Sequence, residues 1–152
     1  MFVKNVSEKF REIVKKMNKP HIIKKLEKDH KQILYIFEKI NLTLLTKNYE
    51  NSLKYLNELF FNYKKHILYE NNYLYPRLIK KYQDYENVLY FIEDIKNEEE
   101  KISNMIDKIL LIYEAPWVIE KNTNEFKNDL NNLHNFIKER IDYEERRLFV
   151  LY

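Results

Sequence analysis

The chain has 152 residues, enough for one domain with a sizeable core and too few for two. It contains no glycine, no cysteine and three prolines, Pro20, Pro76 and Pro116, so helix breakers and hairpin residues are scarce, and disulfides, thiolate metal sites and thiol catalysis are excluded. Basic and acidic residues number 27 and 24, interspersed, and the resulting +3 is too small and too scattered for a dedicated nucleic-acid binder.

Residues 1–19, MFVKNVSEKFREIVKKMNK, space Val3, Val6, Phe10, Ile13 and Met17 at helical intervals beneath a basic face. This is an N-terminal amphipathic helical arm, set before a body spanning 20–152 and suited to docking on it or to pairing two copies as a homodimer. The low net charge favours such docking over a membrane surface. The arm lacks a signal peptide's apolar stretch, and the longest apolar run, ILLIY at 109–113, falls far short of the roughly 18 residues of a membrane span. No transmembrane segment is expected, and a cytoplasmic location is. His21, after Pro20 at a helix start, is a surface or capping residue.

Residues 22–46 place Leu26, His30, Ile33, Phe37, Ile40 and Leu44 at alternating spacings of four and three, the seam of a core-facing helix. Residues 50–82 continue the rhythm through Leu53, Leu56, Phe60, Tyr63, Ile67, Glu70 and Leu74, with Leu59, His66 and Tyr73 on the flank. A third seam runs through Val88, Ile92, Ile95, Glu99, Ile102, Ile106, Ile109 and Tyr113, its neighbours Glu98 and Glu100 facing water. The fourth runs through Phe126, Leu130, Leu133, Ile137, Arg140, Glu144 and Leu148, and KNTNEF before it offers N-caps. The connections TKNYEN, YQDYEN and EAPWVIEKNTNE are short and mostly polar. The fold expected is all-α, an up-down-up-down four-helix bundle with the additional N-terminal amphipathic helix.

At 1.5 Å per residue, heights along the bundle can be compared. His30 and His66 each stand about 18 residues from a turn near 48, and Glu70 and Glu99 about 15 from a turn near 84. Glu99 and Arg140 are each about 20 residues from the middle of the third connection, with Glu144 one turn beyond Arg140. These side chains converge on one interior layer. Several carboxylates cannot be buried there without positive charge, because each costs several kcal/mol in desolvation. With no cysteine, a metal in this layer would be held by His, Glu, Asp or Tyr.

The segment HILYENNYLYP, with His66-x-x-x-Glu70 followed by Leu74, Tyr75 and Pro76, resembles the second helix of the hemerythrin-like (HHE cation-binding) family of four-helix bundles. LEKDHKQI around His30 is similar to the family's first helix, and IDYEERRLF to its fourth-helix ending, with Val150 where the family has a final proline. The resemblance covers residues 22–150. It implies a non-haem iron centre bridged by Glu70 and Glu144, with His30 and His66 completing one iron. The second iron's histidine positions fall at Glu99 and Arg140. Glutamate can ligate iron; arginine stays protonated and offers no lone pair. A guanidinium among Glu70, Glu99 and Glu144 would replace one cation by another, so one metal per chain is expected, on ligands His30, His66, Glu70, Glu144 and Glu99. His134, almost two turns below the layer, reads as a packing residue or a neighbour of the ligands ahead of a distal ligand.

On such a centre an open position would take a small ligand, dioxygen, nitric oxide or peroxide, for sensing, iron handling or redox chemistry. The rival reading is a metal-free helical scaffold or interaction bundle that keeps a degenerate polar layer for packing specificity. The paired Glu-x-x-His motifs of ferritin-like oxidases are absent, the spacing here being His-x-x-x-Glu, and no catalytic residue is assigned.

Overall fold

The computed structural model describes residues 8–14 and 18–152. Within the arm, residues 8–14 are helical with Phe10 and Ile13 turned to solvent, while Val3, Val6 and Met17 lie outside the described residues. The bundle follows as α1 (His21–Leu45), α2 (Tyr49–Tyr69), a π-helical turn (Glu70–Leu74), α3 (Tyr75–Lys81), α4 (Glu86–Ile112), α5 (Pro116–Lys121) and α6 (Thr123–Tyr143). A second π-helical turn (Glu144–Leu148) and a 3-10 turn (Phe149–Leu151) end the chain. The described residues contain no strand and no helix long and apolar enough to cross a membrane.

The short turns force neighbouring rods antiparallel. Between α1 and α2, Lys47 adopts a left-handed backbone with φ of 55°, which a glycine-free chain must assign to a side-chain-bearing residue. Asn48 then caps α2 by accepting from the Asn51 N–H, and the buried hydroxyls of Thr43 and Ser52 meet at 2.7 Å across the turn. The third connection is more ordered than its polarity suggests. Pro116 starts the short helix α5, whose Ile119 is fully buried. The residues expected to cap α6 serve this helix instead: the Asn122 amide donates to the Val118 carbonyl, and the Thr123 hydroxyl to the Ile119 and Glu120 carbonyls.

The apolar core is divided. One cluster joins Ile33, Phe37, Ile40, Leu56, Leu59, Ile106, Phe126 and Leu133 with their neighbours. The other joins Ile22, Leu26, Leu74, Tyr75, Leu78, Ile92, Ile95, Leu148 and Phe149. Between them lie the buried charged and imidazole side chains His30, His66, Glu70, Glu99, Arg140 and Glu144.

The burial pattern also repeats. Ile23, Leu26, His30, Ile33, Phe37, Ile40 and Leu44 of α1 correspond, at one constant offset, to Ile92, Ile95, Glu99, Ile102, Ile106, Ile109 and Tyr113. A second constant offset relates Leu56, Leu59, Tyr63, His66, Glu70, Leu74 and Tyr75 to Leu130, Leu133, Ile137, Arg140, Glu144, Leu148 and Phe149. The second helical hairpin is thus a copy of the first, with its π-helical turn in the same place. Proline does not explain both turns, since Pro76 follows the first but Val150 the second. In each, a glutamate opens the turn, and its carbonyl accepts from the N–H five residues on, that of Tyr75 or Phe149. The extra residue rotates Tyr73 outward and brings Tyr75 inward beside Leu74, and likewise turns Phe149 into the core beside Leu148.

Phe37 is fully buried and stacks on His134 with ring centroids 4.5 Å apart. Phe37→Ala is expected to cost about 3–5 kcal/mol, measured as a lowered urea midpoint at unchanged slope.

Candidate metal centre

Each polar group of the layer is delivered by a different part of the repeat. α1 supplies His30, α2 supplies His66, and the two π-helical turns open on Glu70 and Glu144. One ligand atom from each of these four buried residues lies within 4.8 Å of the others. His30 Nε2 is 3.1 Å from His66 Nε2 and 2.8 Å from Glu144 Oε2. His66 Nε2 is 3.0 Å from Glu70 Oε1 but out of line for a hydrogen bond, so both Glu70 oxygens are buried without a hydrogen-bond partner.

The outward ring nitrogens are anchored. His30 Nδ1 is 3.0 Å from Glu145 Oε1, and His66 Nδ1 is 3.5 Å from Asp29 Oδ2, which Lys25 also holds at 2.8 Å. A carboxylate at Nδ1 fixes the tautomer that presents the Nε2 lone pair inward. Phe149 closes the site over His30, stacking with centroids 5.5 Å apart and planes 7° from parallel.

Arg140 occupies the other half. Its Nε donates to Glu144 Oε1 at 2.6 Å, Nη1 to the Ile95 carbonyl at 2.5 Å, and Nη2 to Glu99 Oε1 at 2.9 Å and to the Tyr75 hydroxyl at 3.2 Å. Tyr75 in turn donates to Glu99 Oε1 at 2.6 Å. Glu99, expected among the metal ligands, stands outside the four-residue cluster with this oxygen taken up by Arg140 and Tyr75. Glu70, expected as a third partner of Arg140, receives no bond from it among the described residues; Glu99 and Glu144 do.

These contacts set the protonation pattern. Burial pushes Glu144 up, but the hydrogen bond from His30, the nearby His66 and the Arg140 charge outweigh it and hold the carboxyl well below its ordinary range. Burial and the neighbouring Glu144 push Glu70 well up. Burial would lower both histidines, yet His30 is raised by its bonds to Glu144 and Glu145, and His66 by the Glu70 charge and the bond to Asp29.

His21 is exposed and Glu98 and Glu100 face water, as the seam register requires. His134 is half-buried against Phe37, with its pKa lowered by burial and Lys138. Sequence reasoning missed four participants. Asp29 and Glu145 are each adjacent in sequence to a predicted ligand, a signal that could have found them; Tyr75 and Phe149 are hidden because an ordinary α-helix would not point them inward.

A family model described as the hemerythrin HHE cation binding domain matches residues 21–152. No curated protein and no solved structure matches the chain.

Two outcomes follow for the metal-free protein. Arg140→Ala strands Glu99 and Glu144 and is expected to cost about 3–5 kcal/mol, read by urea unfolding. For pH, His30 and His66 are raised above 6.5, so their stabilisation is complete below about pH 6.5 and is lost as pH rises through their folded values. The raised Glu70 acts in the same direction from its ordinary 4.5 upward, whereas the contribution of Glu144 is present above 4.5 and lost as pH falls. The urea midpoint without metal should therefore fall as pH rises above about 6.5; a flat profile would contradict the assigned proton positions.

Proposed function

The chain belongs to the hemerythrin HHE cation-binding domain family, and from that membership we propose that it binds one divalent metal ion, iron, on His30, His66, Glu70 and Glu144. The observation that carries this is the charge of the buried layer. Three carboxylates face one guanidinium, so with neutral histidines two negative charges are left uncompensated, among them a Glu70 carboxylate with neither oxygen hydrogen-bonded. One divalent cation closes that count. A second would overshoot it, and Arg140 and Tyr75 already engage Glu99.

Two imidazole nitrogens and two carboxylates form a donor set that suits a first-row divalent ion. Asp29 and Glu145 orient the two rings. Glu144 offers Oε2, its Oε1 being tied to Arg140, while Glu70 has both oxygens free to ligate. When bound, iron supplies a Lewis-acidic, redox-capable centre with a position for dioxygen, nitric oxide or peroxide. A notch of about 40 Å³ lined by Asp29, Asn62, Lys65 and His66 lies on the outer, Nδ1 side of the His66 ring, a space that suits about one water. Phe149 and the flanking apolar clusters keep bulk water from the rest of the layer.

The same charge count closes without metal when the layer takes up two protons, shared among His30, His66 and Glu70, whose pKa values are all raised. Metal and protons therefore compete, and metal affinity should rise with pH as unliganded stability falls.

Protein purified without chelator, assayed by elemental analysis, should hold about one iron per chain, and ferrous titration should saturate there. His66→Ala and Glu70→Ala should each lower affinity by about tenfold or more while the circular dichroism remains helical. Two tightly held irons per chain, or full metal content in both variants, would overturn the assignment.

A further inference from the structure

We propose that Tyr75, Glu99 and Arg140 form a single unit, a fixed-cation half-site interchangeable with the unit His30, His66 and Phe149, and that Tyr75 is its specificity-determining residue. This rests on the one-metal reading above, but it concerns a different half of the layer.

The internal repeat supplies the correspondence: His30 with Glu99, His66 with Arg140, Phe149 with Tyr75. Contacts follow the same exchange. Phe149 of the second hairpin lies on His30 of the first, and Tyr75 of the first reaches Glu99 of the second. The units differ consistently in chemistry. Where one half has two imidazoles beneath an apolar ring, the other has a carboxylate and a permanent cation beneath a ring bearing one hydroxyl.

That hydroxyl is the polar atom by which Tyr75 differs from Phe149, and it is fully used, donating to Glu99 Oε1 at 2.6 Å and accepting from Arg140 Nη2 at 3.2 Å. It gives Glu99 a second donor beside the guanidinium, so this oxygen is hydrogen-bonded rather than free to ligate. Phenylalanine would leave that oxygen only Arg140. An independent trace of the copied layout lies one residue past each of Glu70 and Glu144. Glu145 accepts from His30 Nδ1, and its counterpart Asn71 holds a buried Oδ1 with no hydrogen-bond partner. The second half thus retains an acceptor where an imidazole at position 99 would need one.

Reciprocal exchange tests this, with cobalt(II) titrated anaerobically as the visible probe and elemental analysis as the count. Tyr75→Phe/Glu99→His/Arg140→His should gain one cation relative to the parent, small anions from solvent balancing the charge that Glu70 and Glu144 alone do not. The reverse exchange, His30→Glu/His66→Arg/Phe149→Tyr, buries four carboxylates against two guanidiniums, a deficit that protons must close once both imidazole ligands are gone; it should hold no cobalt, yet keep its helical circular dichroism and a cooperative thermal transition. Glu99→His/Arg140→His with Tyr75 retained should bind the added ion at least tenfold more weakly than the triple variant, because the hydroxyl still donates into the half-site. A folded triple variant with the parent's stoichiometry would overturn the unit. So would a folded reverse exchange that still binds cobalt, should the forward variant fail to fold. Equal affinity in the double and triple variants would remove the role of Tyr75. The one-metal reading is judged separately, by the parent's own count.

Discussion

Three carboxylates in the middle of an apolar bundle must be neutralised, and most of the structure's particulars answer to that demand. The cost of burying an unpaired carboxylate is several kcal/mol, comparable to the whole stability of a domain this size. The chain meets it with a permanent charge on one side, where Arg140 spans Glu99 and Glu144, and with two imidazoles on the other. Glu144 joins the halves, one oxygen to the guanidinium and one to His30. Glu70 is left with neither oxygen hydrogen-bonded.

The asymmetry is chemical rather than architectural. The two hairpins bury equivalent positions, open equivalent π-helical turns with equivalent glutamates, and set an aromatic ring at the end of each. The apolar partners of the repeat remain apolar or aromatic, whereas the residues meeting the charge change in kind. A metal ion can leave and be replaced by protons, whereas a guanidinium stays charged at any physiological pH. One side of the layer is therefore responsive and the other is fixed.

Much of this was legible in the sequence because helical periodicity locates a buried face without knowledge of neighbours. The polar interruptions at His30, His66, Glu70, Glu99, Arg140 and Glu144 all fell on buried positions, and their shared level followed from the rise per residue and the short turns. Glu98 and Glu100 were correctly placed outward. Periodicity failed where the helix changed its own period. A π-helical turn advances the buried face by one residue, so Tyr73 was expected on the flank where Tyr75 is found buried beside Leu74. It also cannot see side chains that reach inward from half-buried positions, as Asp29 does to His66 Nδ1. The capping residues before α6 were misassigned because Asn and Thr bond carbonyls behind them as readily as amides ahead, and the helix that receives those bonds, Pro116–Lys121, is too short to show a period although Trp117, Val118 and Ile119 break the polarity of the connection.

The divided core has a further meaning for how the molecule holds together. Two separate apolar clusters lie one towards the α1–α2 turn and one around α3 and the chain's final turns, and contiguous clusters of this kind are the units in which proteins open cooperatively. What ties them is the polar layer, whose strength depends on what occupies it. An ion that grips α1, α2 and both π-helical turns would act as a rivet between the two blocks, and its loss would let one end of the bundle breathe while the other stayed closed.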